Sequence, residues 1–147
     1  MKICIIGFGV VGNAIFSLIT KKKYKFIKNV LFYDKYKNIG NLQSCLDTSF
    51  SFLCLPTNLN EEKIFDLTPI MQTLEYLSEN NYSGIIIIKS TLLPNTTEKL
   101  SIQYPNLKLF HCPEFLSAAT STKDILTPPQ IILGFPNNFK TKDEVIK

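Results

Sequence analysis

Short apolar runs alternate along nearly the whole chain with stretches in which apolar residues recur at helical spacing. Lys2–Gly7 is a β-branched run that stops at glycine, and it predicts a first strand. Val11, Ala14, Ile15, Leu18 and Ile19 then form one stripe of an amphipathic helix. Val30–Tyr33 reads as a second strand ending at Asp34, and Asn41–Leu46 as a short helix capped by Asn41. Phe50–Leu55 reads as a third strand closed by Pro56.

The second half repeats the alternation. Ile70, Met71, Leu74 and Leu77 mark a helix near residues 67–79, with Pro69 in the first turn, where proline is tolerated. Ile85-Ile86-Ile87-Ile88 is apolar without interruption, which indicates burial on both faces of a parallel sheet. Thr96–Gln103 is expected to be helical, Leu107–Phe110 a fifth strand and Gln130–Leu133 a sixth. The sum is an α/β fold: a single-domain, doubly wound parallel sheet of the Rossmann type with about six strands. Residues 1–134 form the expected domain, and 135–147 a tail or the start of a linker helix.

Composition narrows the class. A length of 147 residues supports one ordinary domain, and 45% hydrophobic with 19% charged residues describes a globular chain. The net charge of +4 is mild, and the cluster Lys21, Lys22, Lys23, Lys25 and Lys28 reads as the solvated end of a helix, so no nucleic-acid partner is expected. No apolar run approaches the roughly 18 residues of a membrane span. Gly7, Gly9 and Gly12 interrupt what a signal peptide would keep apolar. Cys4, Cys45, Cys54 and Cys112 show neither a CxxC pair nor metal-ligand spacing, and are expected to be reduced and buried in a cytoplasmic protein.

The strongest local signal is Gly7-Phe8-Gly9-Val10-Val11-Gly12, placed between the first strand and the first helix. Gly7 permits the tight turn, Gly9 lets backbone approach a pyrophosphate, and Gly12 allows the helix to pack closely on the strand. The helix N-terminus then offers free N–H groups to the phosphates. Asp34 ends the second strand 22 residues past Gly12, where a carboxylate accepts hydrogen bonds from the adenosine ribose and repels a 2′-phosphate. This favours NAD as the cofactor, while Lys35 and Lys37 supply cations that keep NADP open.

Three further segments follow predicted strands: Leu55-Pro56-Thr57-Asn58, Lys89-Ser90-Thr91-Leu92-Leu93-Pro94-Asn95-Thr96-Thr97, and Cys112-Pro113-Glu114-Phe115-Leu116. Together with the glycine loop they resemble the N-terminal domain of the UDP-glucose/GDP-mannose dehydrogenase family, from residue 1 to about 134. The resemblance implies that Gly7, Phe8, Gly9, Val10, Val11 and Gly12 bind the pyrophosphate. Asp34, with Lys35 beside it, would bind the ribose. Leu55, Pro56 and Thr57 would border the adenosine side, and Ser90 and Thr91 the nicotinamide end. Thr91 and Glu114 would position a water for hydrolysis of a thioester, and Glu114, Phe115 and Leu116 would contact the nucleotide sugar. The reaction implied is oxidation of a sugar CH2OH to a carboxylate with NAD.

Read without the family, Thr91 could cap a turn and Glu114 could be a surface carboxylate. Lys89 reads as a lysine snorkelling from a buried strand. His111 and Cys112 are neighbours on an extended segment, so their side chains point to opposite faces and do not form a nucleophile–base pair. The sequence also departs from the family. Ala118 stands where a second acidic residue is usual, and Gln130 where an arginine is common. Only fifteen residues separate Asp34 from Phe50, fewer than in many relatives. The family's linker helix and its C-terminal domain with the nucleophilic cysteine have no counterpart in these 147 residues.

The leading expectation is therefore the NAD-binding part of a UDP-glucose 6-dehydrogenase-type enzyme, with a possible partner subunit and with a UDP-sugar bound only if a C-terminal half is supplied. The alternative is a catalytically inactive, stand-alone NAD-binding module. Another Rossmann dehydrogenase, of a hydroxyacid or 6-phosphogluconate type, is disfavoured by the Lys89-Ser90-Thr91 and Pro113-Glu114-Phe115-Leu116 segments. An exposed apolar surface is expected where a further domain would pack.

Overall fold

The computed structural model describes residues 1–61, 64–115, 124–128 and 130–137. Five of the apolar runs are strands: β1 Lys2–Ile6, β2 Asn29–Tyr33, β3 Phe50–Leu53, β4 Ile85–Ile88 and β5 Lys108–His111. They form one parallel sheet in the order β2-β1-β3-β4-β5. The register matches Ile5 with Phe32 and Phe52, then Phe52 with Ile87 and Ile87 with Phe110. Three helices join the strands, α1 Val10–Lys22, α2 Thr68–Glu79 and α3 Thr96–Gln103, and a 3₁₀ helix at Leu42–Asp47 makes the connection from β2 to β3. Asn41 caps that short helix by accepting the Gln43 N–H at 2.9 Å, as the sequence leads one to expect.

Because side chains alternate across a strand, each strand feeds two cores. Ile3 and Ile5 face α1 and pack with Ile15, Ile19, Phe50 and Phe52. Cys4 and Ile6 face the opposite side, with Leu53, Ile86 and Ile88, under Ile70, Leu74 and Leu77 of α2 and Leu100 of α3. The direction of strand order reverses between β1 and β3, so α1 crosses over one face of the sheet and α2 and α3 over the other. A crevice opens at that reversal, outside the carboxyl ends of β1 and β3.

Two expectations are corrected. Gln130–Leu133 is not a sixth strand. Its neighbour Gly134 makes a single antiparallel bridge to His111, while Ile131 and Ile132 remain 76% and 46% exposed, so no second strand face is buried to fix a register. Cys4 and Cys45 are not reduced: they form a disulfide across a separation of 41 residues, leaving Cys54 and Cys112 as free thiols. The crossing of the 3₁₀ helix over β1 brings the two together, which spacing along the chain cannot reveal.

The α2 face depends on apolar volume. Leu74 is fully buried in its centre, so Leu74→Ala is expected to lower the unfolding free energy by about 2–5 kcal/mol in urea titration, without loss of the sheet signal in circular dichroism.

Candidate dinucleotide and carboxylate site

The carboxyl ends of four strands are aligned by a ladder that continues past them. The Gly7 N–H donates to Tyr33 O at 2.8 Å, Cys54 N–H to Ile6 O at 2.7 Å, Lys89 N–H to Leu53 O at 2.8 Å and Cys112 N–H to Ile88 O at 2.9 Å. Every loop that follows a strand therefore starts from the same edge.

At the end of β1, Gly7 takes φ +91°, a left-handed conformation that L side chains rarely adopt. Gly12, in the first turn of α1, lies so close to the Gly7 carbonyl that a Cβ there would collide with its oxygen. Gly9 is the opposite case: a Cβ on it would meet nothing within 4 Å. Gly9 is the N-cap of α1, offers no side-chain cap, and no acidic residue stands in the first turn. The N–H groups of Val10, Val11 and Gly12, in the first turn, have no partner inside the helix, the arrangement that receives an anion. Asn13 fixes the loop from behind, its Nδ2 donating to Phe8 O at 2.9 Å and Gly9 O at 2.7 Å.

Asp34 follows β2 and reaches back to this loop. Its Oδ2 accepts the Phe8 N–H at 2.7 Å, and its Oδ1 accepts the N–H groups of Tyr36 at 3.0 Å and Lys37 at 2.9 Å. The Lys37 Nζ donates to Phe8 O at 2.6 Å and lies 6.0 Å from the centre of the Phe8 ring, whereas Lys35 is simply exposed. The sequence points to Asp34 as a ribose ligand, yet gives no hint that it also ties the tip of β2 to the glycine loop.

The loops after β3, β4 and β5 are stitched together. The buried Ser90 hydroxyl donates to Leu55 O at 2.6 Å, and Thr57 Oγ1 donates to Thr91 O at 2.9 Å. His111 Nε2 lies 3.2 Å from Ser90 O. Burial holds the His111 imidazole below its ordinary pKa, with the Ser90 carbonyl opposing the shift and the Lys89 ammonium adding to it. Ile88 and His111 share a rung, so Thr91 and Glu114 each stand three residues beyond it on adjacent strands. Phe115 is 53% exposed beside Glu114. Leu116 and Ala118 lie outside the described residues.

Lys89 corrects an expectation, because it does not snorkel to solvent. Its side chain is 11% exposed, donates to Cys112 Sγ at 3.3 Å and lies 3.8 Å from Glu114 Oε2. The Glu114 side chain is 13% exposed, and neither of its carboxyl oxygens has a hydrogen-bond partner among the described residues. Burial raises the Glu114 pKa above the usual carboxylate range, and Lys89 draws it back. Burial also pushes the Cys54 thiol far up, Glu114 adds to that, and Lys89 again opposes. His111 and Cys112 point to different partners, as the extended geometry requires. Lys89, Cys112 and Glu114 line one part of an apolar cavity of about 550 Å³ on the α1 side of the sheet, lined also by Ile3, Ile15, Phe50, Phe52 and Ile87. Among the described residues, no group of His, Cys, Asp and Glu could hold a metal ion and no helix is long and apolar enough to cross a membrane.

Residues 25–147 match the family model described as "UDP-glucose/GDP-mannose dehydrogenase family, NAD binding domain". The chain belongs to this family. The matched stretch includes Asp34 and all three segments that follow β3, β4 and β5, while the glycine loop precedes it. UDP-glucose 6-dehydrogenase AglM of Haloferax volcanii is 30% identical over 115 residues, which cover 69% of this chain and 27% of that protein. Two solved members share the fold: a UDP-glucose dehydrogenase from Pyrobaculum islandicum, with TM-score 0.77 at 15% identity over 91% of this chain and 40% of the other, and a GDP-mannose dehydrogenase from Pseudomonas aeruginosa, with TM-score 0.71 at 19% identity over 92% and 41%. The chain thus spans well under half the length of these relatives. The family domain is described as NAD-binding, which supports a nicotinamide cofactor.

The buried Glu114 generates a pH-dependent prediction. A folded-state pKa above the unfolded one means that ionisation costs stability as the pH rises through the Glu114 range. Glu114→Gln removes that cost, so the variant should melt at least about 2 °C higher than the parent at neutral pH. The difference should close below the ordinary carboxylate range, and calorimetric scans across pH check both halves.

Proposed function

We propose that the chain binds NAD across the carboxyl ends of β1 and β3 and serves as the cofactor-binding part of a UDP-glucose 6-dehydrogenase-type enzyme. The observation that carries the reading is the contrast within the loop: Gly7 and Gly12 are glycines because the fold leaves no room, and Gly9 is a glycine where the fold leaves room to spare. A site whose only bare approach is at Gly9, beside unpaired helix N–H groups, fits a diphosphate.

Asp34 supports the same reading and sets its limits. A carboxylate offers about four acceptor positions, and three are taken by the Phe8, Tyr36 and Lys37 amides, which leaves one for a ribose hydroxyl. Lys35 and Lys37 border that position. Leu55, Pro56 and Thr57 form the facing rim, and Ser90, by fixing the Leu55 carbonyl, sets its height. The bound nicotinamide would accept a hydride from a sugar alcohol. Thr91 and Glu114 would hold the hydrolytic water, Glu114 having two unpaired oxygens to accept from it. Phe115, and Leu116 after it, would face the nucleotide sugar. UDP-glucose is the substrate that the AglM similarity supports. Residues 1–134 are taken as the binding domain and 135–147 as a tail or the start of a linker helix. A cytoplasmic location and a partner subunit complete the proposal, with the UDP-sugar bound only when the remaining family regions are supplied.

Gly9→Ala tests the loop without disturbing the fold. The added methyl group meets no protein atom, so the melting temperature should hold, while NAD affinity in calorimetry should fall at least about tenfold, or 1.4 kcal/mol. Unchanged affinity in the folded variant overturns the proposed cofactor position.

A further inference from the structure

We propose that Lys89 is a positioning residue for Glu114, keeping its carboxylate ionised and held at the sheet edge; the catalytic meaning of this rests on the reading of Glu114 given above.

The placement begins in the strands. Phe52, Ile87 and Phe110 form one rung of the sheet, and Phe52 and Ile87 face α1. Two residues further along each strand, the same face presents Cys54, Lys89 and Cys112, and two further still on the β5 side, Glu114. Lys89 is thus the continuation of an isoleucine stripe, which explains why a lysine side chain is only 11% exposed. A lysine has three donors. The hydrogen bond made here goes to Cys112 Sγ, a weak acceptor, while the much stronger acceptor Glu114 Oε2 waits 3.8 Å away, just beyond hydrogen-bond reach.

The groups facing Glu114 from the packed elements are Cys54 from β3, Lys89 from β4, Cys112 on its own segment and Asp124 on the wall of the shared cavity. Among the described residues, Lys89 is the cation of this group. A carboxylate at this depth without a counter-charge takes up a proton, and a protonated Glu114 cannot accept one from water. Rotation of the Lys89 terminal bonds moves the ammonium between sulfur and carboxylate without moving the backbone, so Cys112 is the resting partner and Glu114 the working one.

The test is titration of the chain itself, followed by carbon-13 NMR of the Glu114 carboxyl. Lys89→Met should raise the Glu114 midpoint by at least about one pH unit, and Lys89→Arg should return it to within about half a unit of the parent. If Lys89→Met does not fold, Lys89→Gln, which keeps a polar but uncharged end at the sheet edge, decides by the same measurement of the Glu114 midpoint. Midpoints that stay within about 0.3 unit of the parent in the folded variants overturn the inference. NAD affinity measured on the same samples is a separate readout, so a chain that fails to bind NAD while showing the shift sinks the cofactor reading and leaves the Lys89 assignment intact.

Discussion

The first turn of α1 stands directly against the carbonyl of Gly7, one residue past β1. Gly12 touches the Gly7 oxygen at a distance that no side chain permits, and Gly7 itself turns through a positive φ to make the contact. Everything at the proposed cofactor site depends on this approach. It aims the helix N-terminus at the crevice where the strand order reverses, and it puts Gly9 at the mouth with space in front of it. A looser junction would leave the same amides in the molecule but aimed elsewhere.

A second constraint acts on the opposite half of the edge. The hydrogen-bond ladder runs on for one residue past each strand, through Cys54, Lys89 and Cys112. That regularity carries the two-residue side-chain period beyond the sheet, so that a lysine, two thiols and a carboxylate are delivered to an otherwise apolar face. In that cluster burial is the first cause of the upward shift of the Cys54 thiol and of the Glu114 carboxyl, ahead of any neighbouring charge. Glu114, whose carboxyl oxygens find no hydrogen-bond partner among the described residues, is costly in a resting fold.

The two halves meet over β3. Ser90 binds Leu55 O, Thr57 binds Thr91 O, and His111 closes on Ser90 O. These short links make one rim of three loops, and the adenosine-side and carboxylate-side groups are set relative to each other by them.

The sequence by itself determined the local elements and the glycine loop. Helical spacing in Val11–Ile19, the unbroken Ile85–Ile88 run and the turn chemistry at Gly7 and Asn41 are all decided by neighbours within a few residues, which is why the strand and helix positions are legible there. It misled at Gln130–Leu133, where an apolar run with no partner strand has the same local pattern as one that pairs. Only the tertiary structure decided the rest. Cys4 meets Cys45 because a crossing connection folds over β1, and Asp34 binds the Phe8 amide because β1 and β2 end side by side. Lys89 lies between Cys112 and Glu114 because register, a property of strands distant in the chain, sets which side chains share a rung. Alternation could have flagged Cys54, Lys89 and Cys112 as one face, but which face is buried, and beside what, is a matter of packing that no single segment encodes.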